Sequence, residues 1–171
     1  GVPLAEPEIQ AALLRGTPVV GDVELFALYR PQAAKLIAIT GSNGKSTVTT
    51  LVGEMCKQAG LNAIVAGNIG LPVLDTLALP APDVVVLELS SFQLETTQHL
   101  NADAATVLNL SEDHLDRYTG MVAYAAAKQR IFQGQPVQVL NRDDNKSLKM
   151  AQPELGHILF GEGEPKTSGE Y

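Results

Sequence analysis

Residues 36–47 read Leu-Ile-Ala-Ile-Thr-Gly-Ser-Asn-Gly-Lys-Ser-Thr. An apolar strand, a glycine-containing loop that ends in Lys45 and Ser46, and the start of a helix follow one another directly. Glycines allow backbone N–H groups to approach phosphate oxygens, and a helix N-terminus adds the positive end of its dipole. Lys45 can reach outer phosphates as a point charge, and the Ser46 hydroxyl can ligate Mg²⁺. The stretch therefore predicts a nucleoside triphosphate cradle made of Gly41, Ser42, Asn43, Gly44, Lys45, Ser46 and Thr47.

The loop departs from the common phosphate-loop pattern at one position. That pattern has glycine five residues before Gly44, where this chain has Ile39, so the loop is the shorter Gly-x-x-Gly-Lys-Ser. For the loop alone, the alternative is a strand-to-helix turn with an exposed lysine. The flanking residues favour the cradle, because an apolar run precedes the loop and a helical pattern follows it. That pattern stops at Gly60 and consists of Val48, Leu51, Val52, Met55 and Cys56.

The composition limits the classes of protein that the chain can represent. With 171 residues, 45% of them hydrophobic, it can bury one proper core, and no apolar run approaches the length of a membrane span. We expect a cytoplasmic, monomeric domain. A net charge of −7 leaves no basic field for nucleic acid. The single cysteine, Cys56, lies on the apolar stripe of the first helix pattern and is expected to be a buried structural thiol.

Strand-like and helix-like segments alternate along most of the chain. After residues 1–34, expected to be a linker with a short helix around Ile9 to Leu14, apolar strand-like runs occupy 35–39, 62–66, 83–89, 105–110, 136–140 and 157–160. Helix-like segments lie between the later strands, at about 69–78, 91–99, 121–133 and 143–151. This alternation predicts an α/β fold of the phosphate-loop mononucleotide-binding type, with a mostly parallel sheet and helices on both faces. Residues 35–171 would form this domain, and both chain ends have loop-like composition, so we expect it to be incomplete at both ends.

Polar side chains follow four consecutive strands of the predicted sheet. In parallel sheets, ligands bind beyond the carboxyl ends of the strands. Glu88 ends a buried strand, and a carboxylate there is costly unless a cation or hydrogen bonds meet it, so we expect either a Mg²⁺ ligand or a cap of the next helix. His114 lies in an acidic loop that follows the next strand, which indicates a ligand or charge-stabilising role. His99 and His157 have no such neighbours and are expected to be structural or surface residues. Composition alone predicts that Lys128, in an alanine-rich helix, is solvated.

Five segments together resemble the central domain of the Mur ligases, the ATP-dependent enzymes that build the peptide stem of bacterial peptidoglycan. They are the loop at 40–47, Gly67-Asn-Ile-Gly70, Leu87-Glu-Leu-Ser-Ser-Phe-Gln-Leu-Glu95, Asn109-Leu-Ser-Glu-Asp-His-Leu-Asp-Arg-Tyr118 and Ala127-Lys-Gln-Arg-Ile-Phe132. The third segment and Val20-Gly-Asp-Val-Glu-Leu-Phe26 are most similar to the branch that adds D-glutamate to UDP-N-acetylmuramoyl-L-alanine.

The resemblance implies roles for individual residues. Amide formation would proceed through an acyl phosphate, with Lys45 and the loop amides on the β- and γ-phosphates. Ser46 and Glu88 would hold one Mg²⁺, and His114 with a carbamylated Lys128 would hold a second. The catalytic residues would then be Lys45, Glu88, His114 and Lys128, and the UDP-muramoyl substrate would contact Asn68, Ser90 and Gln93.

The resemblance also implies parts that are not found in this sequence. The family's N-terminal uridine diphosphate-binding domain and its C-terminal domain have no counterpart here, so we expect the chain alone to be inactive. Two alternatives remain open from the sequence. One is a related ligase with another acceptor, from another Mur branch or resembling folylpolyglutamate synthase, and the other is a phosphate-loop switch module that is not a ligase.

Overall fold

The computed structural model describes residues 2–112, 117–165 and 168–171. Within these ranges, the strands are β1 (Lys35–Thr40), β2 (Ala63–Gly67), β3 (Val84–Glu88), β4 (Ala104–Val107), β5 (Val137–Asn141) and β6 (His157–Phe160). They form one sheet in the order β2-β3-β1-β4-β5-β6, and every neighbouring pair is parallel. The predicted parallel α/β sheet is therefore confirmed, with each strand found within two or three residues of its expected bounds.

The described α-helices are α1 (Pro7–Leu14), α2 (Asp22–Tyr29), α3 (Lys45–Gln58), α4 (Ser91–Glu95), α5 (Met121–Gln129) and α6 (Asn145–Leu148). Short 3₁₀ helices span Val73–Ala78 and Arg130–Phe132. The helices predicted at 91–99 and 143–151 are shorter than expected, since α4 ends at Glu95 and α6 spans only Asn145–Leu148. Helix α2 was not predicted, although its Val23 and Phe26 are fully buried. Among the described residues, no helix combines the length and apolar character needed to cross a membrane.

Helices cover both faces of the sheet, as predicted. On one face, α3 packs over β1, β2 and β3, where Ile39, Val86 and Leu108 form a small core. On the other, α2, α4 and α5 surround the larger core, which includes Leu36 and Tyr124. Successive residues of a strand point to opposite faces, so β1 contributes to both cores.

The apolar stripe predicted for α3 is only partly correct. Val48, Val52 and Cys56 pack against the small core, but Leu51 and Met55 are 56% and 62% exposed. The helix instead approaches the sheet through Gly53, where a Cβ would lie 2.4 Å from a Val65 methyl group. Cys56 is half-buried rather than buried, and it is a free thiol.

The strand order brings the ends of β1 to β4 together. From β1 the chain crosses to β2 on one side of β1, whereas from β3 it crosses to β4 on the other side. Ligands of open α/β sheets bind in the crevice that such a reversal leaves beyond the carboxyl ends. The loops after these four strands therefore meet at one edge.

Candidate nucleotide and metal site

The loop after β1 has the conformation of a phosphate cradle. Gly44 is the N-cap of α3 with φ of +76°, a left-handed conformation that favours glycine. The first amides of a helix have no partner within the helix, so those of α3 are available to an anion. Lys45 Nζ folds back over the loop and donates to the carbonyl of Ser42 at 2.9 Å, and Ser46 and Thr47 are exposed beside it.

The segment after β4 holds this loop in place through hydrogen bonds. Asn43 N donates to Asn109 Oδ1 at 2.9 Å, and Asn109 Nδ2 donates back to the Asn43 carbonyl at 3.0 Å. Ser42 Oγ donates to the Ser111 carbonyl and accepts from Ser111 N, both at 3.0 Å. The side chain of Ser42 therefore holds the loop in place. Ser42 would contact a ligand through its backbone.

Glu88 lies at the end of β3 and is 1% exposed. Its Oε1 accepts a hydrogen bond from Asn68 Nδ2 at 2.7 Å, whereas its Oε2, also buried, accepts none from any residue that the structure describes. A buried carboxylate oxygen without a hydrogen bond is costly, and a hard cation such as Mg²⁺ relieves that cost. Glu88 does not cap the following helix, so the capping alternative is wrong. The site therefore fits a magnesium ion next to the phosphate loop.

A tight turn after β2 holds Asn68 against Glu88. Asn68 N donates to the Glu88 carbonyl at 2.8 Å. Gly67 precedes it with φ of +103°, and a Cβ at Gly67 would lie 2.3 Å from the Glu88 carbonyl oxygen. The glycine is required because only a residue without Cβ allows this approach.

Ser90 and Gln93 cap α4 together. Ser90 Oγ accepts from Gln93 N at 3.2 Å, and Ser90 N donates to Gln93 Oε1 at 3.0 Å, a reciprocal capping box. These two predicted substrate residues therefore have a structural role that the sequence analysis did not assign. The capping box also fixes the orientation of both side chains.

Lys128 is 1% exposed, so the prediction from composition that it is solvated is wrong. Its Nζ donates to Thr40 Oγ1 at 3.1 Å and to the Gly41 carbonyl at 2.9 Å, and it lies 4.8 Å from the centroid of the Tyr124 ring. These contacts connect α5 to the start of the phosphate loop. The metal-ligand role that the resemblance implies for Lys128 stays a prediction.

A cavity of about 800 Å³ joins these groups. Of the predicted site residues, those that line it are Lys45, Asn68, Ser90, Gln93 and Lys128. His114 lies outside the described residues, whereas His99 and His157 are exposed and do not line the cavity, so both are surface residues as predicted.

Among the other residues that line the cavity are Phe92, Arg117 and Tyr124, none of which was predicted as a site residue. Tyr124 precedes Lys128 by four residues and so shares its helix face, a spacing that could have indicated it. Phe92 and Arg117 come from different segments, and no local pattern joins them.

Comparisons with known proteins agree with this geometry. The family model for the Mur ligase middle domain matches residues 39–170. UDP-N-acetylmuramoylalanine--D-glutamate ligase from Methylobacillus flagellatus is 63% identical over the whole chain, and its counterpart from Thiobacillus denitrificans is 60% identical over 94% of the chain. The chain spans only 38% of the length of each of these relatives.

Solved structures support the fold. The crystal structure of MurF from Acinetobacter baumannii superimposes with a TM-score of 0.67 and 23% sequence identity over 82% of this chain and 34% of that one. At this identity the likeness concerns architecture alone. The family match covers most of the sequence and includes the phosphate loop from Thr40 onward, Glu88 and Lys128. The chain therefore belongs to the Mur ligase family and carries its middle domain.

Proposed function

We propose that this chain is the central ATP-binding domain of a cytoplasmic, monomeric ligase that joins D-glutamate to UDP-N-acetylmuramoyl-L-alanine. Its two neighbouring domains would lie outside residues 35–171. The observation that carries the proposal is the buried Glu88 beside a phosphate loop, with Lys128 held at the end of the neighbouring strand β1. The relatives at 63% and 60% identity that carry the D-glutamate ligase name support this choice of acceptor.

The phosphate loop would bind and orient the nucleotide. Bound ATP supplies the phosphoryl group that activates the substrate carboxylate, and the D-glutamate amine then displaces phosphate to form the amide. Lys45 would exchange its contact with the Ser42 carbonyl for contacts with the outer phosphates, because a cation favours phosphate oxygens over a neutral carbonyl. The amides of Gly44 to Thr47 would complete the cradle, and the Ser42 and Asn43 contacts would keep it preorganised.

The metal ligands would come from three strand ends and α5. Bound Mg²⁺ neutralises charge that develops during phosphoryl transfer. Ser46 and Glu88 would hold the first ion, and His114 with Lys128 the second. Among residues 2–112, 117–165 and 168–171, no group of three or more His, Cys, Asp or Glu side chains could bind a metal unaided.

Lys128 could act as a metal ligand only after carbamylation, since an ammonium has no acceptor oxygen. The carbamate nitrogen keeps a single N–H, so one of the contacts with Thr40 and Gly41 would be lost on modification. Intact-mass spectrometry of the protein held in bicarbonate tests this step, with a Lys128→Arg variant as control. A wild-type mass equal to that of the unmodified chain would exclude the carbamate.

The ligase assignment is tested by phosphate release from the full-length enzyme with Mg-ATP and UDP-N-acetylmuramoyl-L-alanine. A panel of D- and L-amino acids provides the acceptors, and Lys45→Ala is the control. We expect release that requires D-glutamate and falls at least a hundredfold in the control.

Three other results would contradict parts of the assignment. Dependence on another acceptor would keep the ligase chemistry and change the substrate, whereas release without any acceptor would favour a switch module. Full activity after His114→Ala would remove the second metal ion from the scheme.

A further inference from the structure

We propose that Arg117, held over the Phe92 ring, binds an oxyanion of the UDP-muramoyl substrate, either its alanyl carboxylate or its diphosphate. The inference rests on the proposed ligase function and assigns a residue to the same cavity. Both ligand groups present paired oxygens that a guanidinium can hold in a bidentate manner.

The guanidinium of Arg117 lies over an aromatic ring. Arg117 Cζ lies 3.9 Å from the centroid of the Phe92 ring. This cation–π contact holds the guanidinium at the cavity wall, and the N–H donors of an arginine can meet a planar or tetrahedral oxyanion. The side chain is 22% exposed, so it is largely ordered before any ligand arrives.

Glu95 only partly neutralises the charge of Arg117. The nearest nitrogen–oxygen distance between them is 3.7 Å, beyond hydrogen-bond range, and the Glu95 side chain is 20% exposed. Glu95 therefore balances charge without a direct hydrogen bond to the guanidinium.

Arg117 differs in position from the other described cations that line the cavity. The described cationic side chains that line the cavity are Lys45, Arg117 and Lys128, in a chain with a net charge of −7. Lys45 belongs to the phosphate loop, and Lys128 is bound to Thr40 and Gly41. Arg117 instead contacts α4, the helix whose first residues include the predicted substrate residues Ser90 and Gln93.

Aromatic contacts connect Phe92, on which Arg117 lies, to the phosphate loop. The Phe92 ring stacks with Tyr118 at a centroid distance of 6.0 Å, and Tyr118 contacts Tyr124 at 5.3 Å. Tyr124 in turn lies 3.2 Å from Ser42 Oγ through its hydroxyl. An anion on Arg117 would thus be positioned relative to the phosphates by a continuous row of packed rings.

The test measures equilibrium binding of UDP-N-acetylmuramoyl-L-alanine and of Mg-ATP separately, in the full-length enzyme, for Arg117→Met and Arg117→Lys. We expect Kd for the UDP-muramoyl substrate to rise about tenfold or more in both variants, because Lys keeps the charge and loses the fork, with Kd for ATP within about twofold. Arg15→Met, at an exposed arginine outside the cavity lining, is the matched control, and thermal melting checks folding.

A substrate analogue with an alaninamide in place of alanine distinguishes the two oxyanions. If the carboxylate is the ligand, Arg117 has no partner in the amide analogue, so the wild type and the Arg117 variants bind this analogue equally weakly. If the diphosphate is the ligand, the variants bind the amide more weakly than the wild type does. Unchanged substrate Kd in both variants, or an equal loss for ATP, would overturn the inference. Wild-type turnover with D-glutamate in the same preparation would show that the proposed function survives that result.

Discussion

Glu88 combines deep burial with one carboxylate oxygen that accepts no hydrogen bond from the described residues. We predict that Glu88→Gln lowers kcat of the full-length enzyme on the order of a hundredfold and raises the magnesium concentration needed for half-maximal rate. The amide oxygen of Gln can still accept from Asn68, so the loop after β2 should stay in place. Kinetics across a magnesium titration measure both effects. An unchanged magnesium dependence would contradict the assignment of Glu88 as a ligand.

The close approach at Gly67 gives a prediction about stability. Gly67→Ala would place a Cβ 2.3 Å from the Glu88 carbonyl oxygen at a φ of +103°, so we expect a loss of about 1–3 kcal/mol in the free energy of unfolding. Denaturant unfolding monitored by circular dichroism measures it. Gly156→Ala is the control, because its Cβ would meet nothing within 4 Å. Equal stability of the two variants would show that the turn relaxes freely.

The burial of Lys128 could not be predicted from its own type or from the residues next to it in the sequence. The three residues before it are alanines, and because lysine is rarely buried, the local sequence favours an exposed helix position. Its hydrogen-bond partners, Thr40 and Gly41, are almost ninety residues away in the chain. Burial of a lysine depends on acceptors that compensate its desolvation, and those acceptors come from another element.

Helix α2 is joined to the loop after α4 through Glu24. This buried carboxylate accepts hydrogen bonds from Gln98 N at 2.6 Å and His99 N at 3.0 Å, and it contacts the His99 ring. Burial raises the pKa of Glu24, but these hydrogen bonds outweigh burial and hold the pKa below its usual range. A lowered folded-state pKa stabilises the fold above the unfolded-state pKa, and this stability is lost as the pH falls through the folded-state pKa.

We predict that Glu24→Gln lowers the free energy of unfolding by about 1–3 kcal/mol near neutral pH, because the charged acceptor of these amides is removed. The difference from wild type should shrink below about pH 4, where the unfolded-state carboxyl binds a proton. Urea unfolding at several pH values measures the trend. Glu154→Gln, at an exposed position, is the control. A difference that stays constant with pH would contradict the linkage.

The strands were easier to predict than α2. The central strands β1 and β3 are nearly continuous apolar runs because helices cover both of their faces, and that pattern is visible in a few residues. Helix α2 spans only eight residues and mixes acidic with apolar side chains. Its buried Val23, Phe26 and Ala27 follow helical spacing, but such a short segment gives little periodicity to detect.

For the molecule as a whole, we predict that the 171-residue chain binds Mg-ATP at least tenfold more weakly than the full-length enzyme and releases no phosphate. The chain spans 38% of its curated relatives, and the proposed reaction needs groups that would come from the other domains. Titration with a fluorescent ATP analogue and a phosphate assay test both statements. Lys45→Ala in the same chain should abolish the residual binding. Turnover by the chain alone would contradict the division of the active site between domains.

Local sequence was enough to establish the parallel α/β fold, the phosphate loop and its nucleotide chemistry. These features depend on the order of neighbouring residues, because strand runs, glycine turns and helix starts are short-range patterns. Only the tertiary structure decided that Glu88 is bound by Asn68, that Lys128 is buried against Thr40 and Gly41, and that Arg117 lies on Phe92. Burial and charge compensation depend on which distant groups the strand order brings to one edge of the sheet, and that arrangement has no local signal in the sequence.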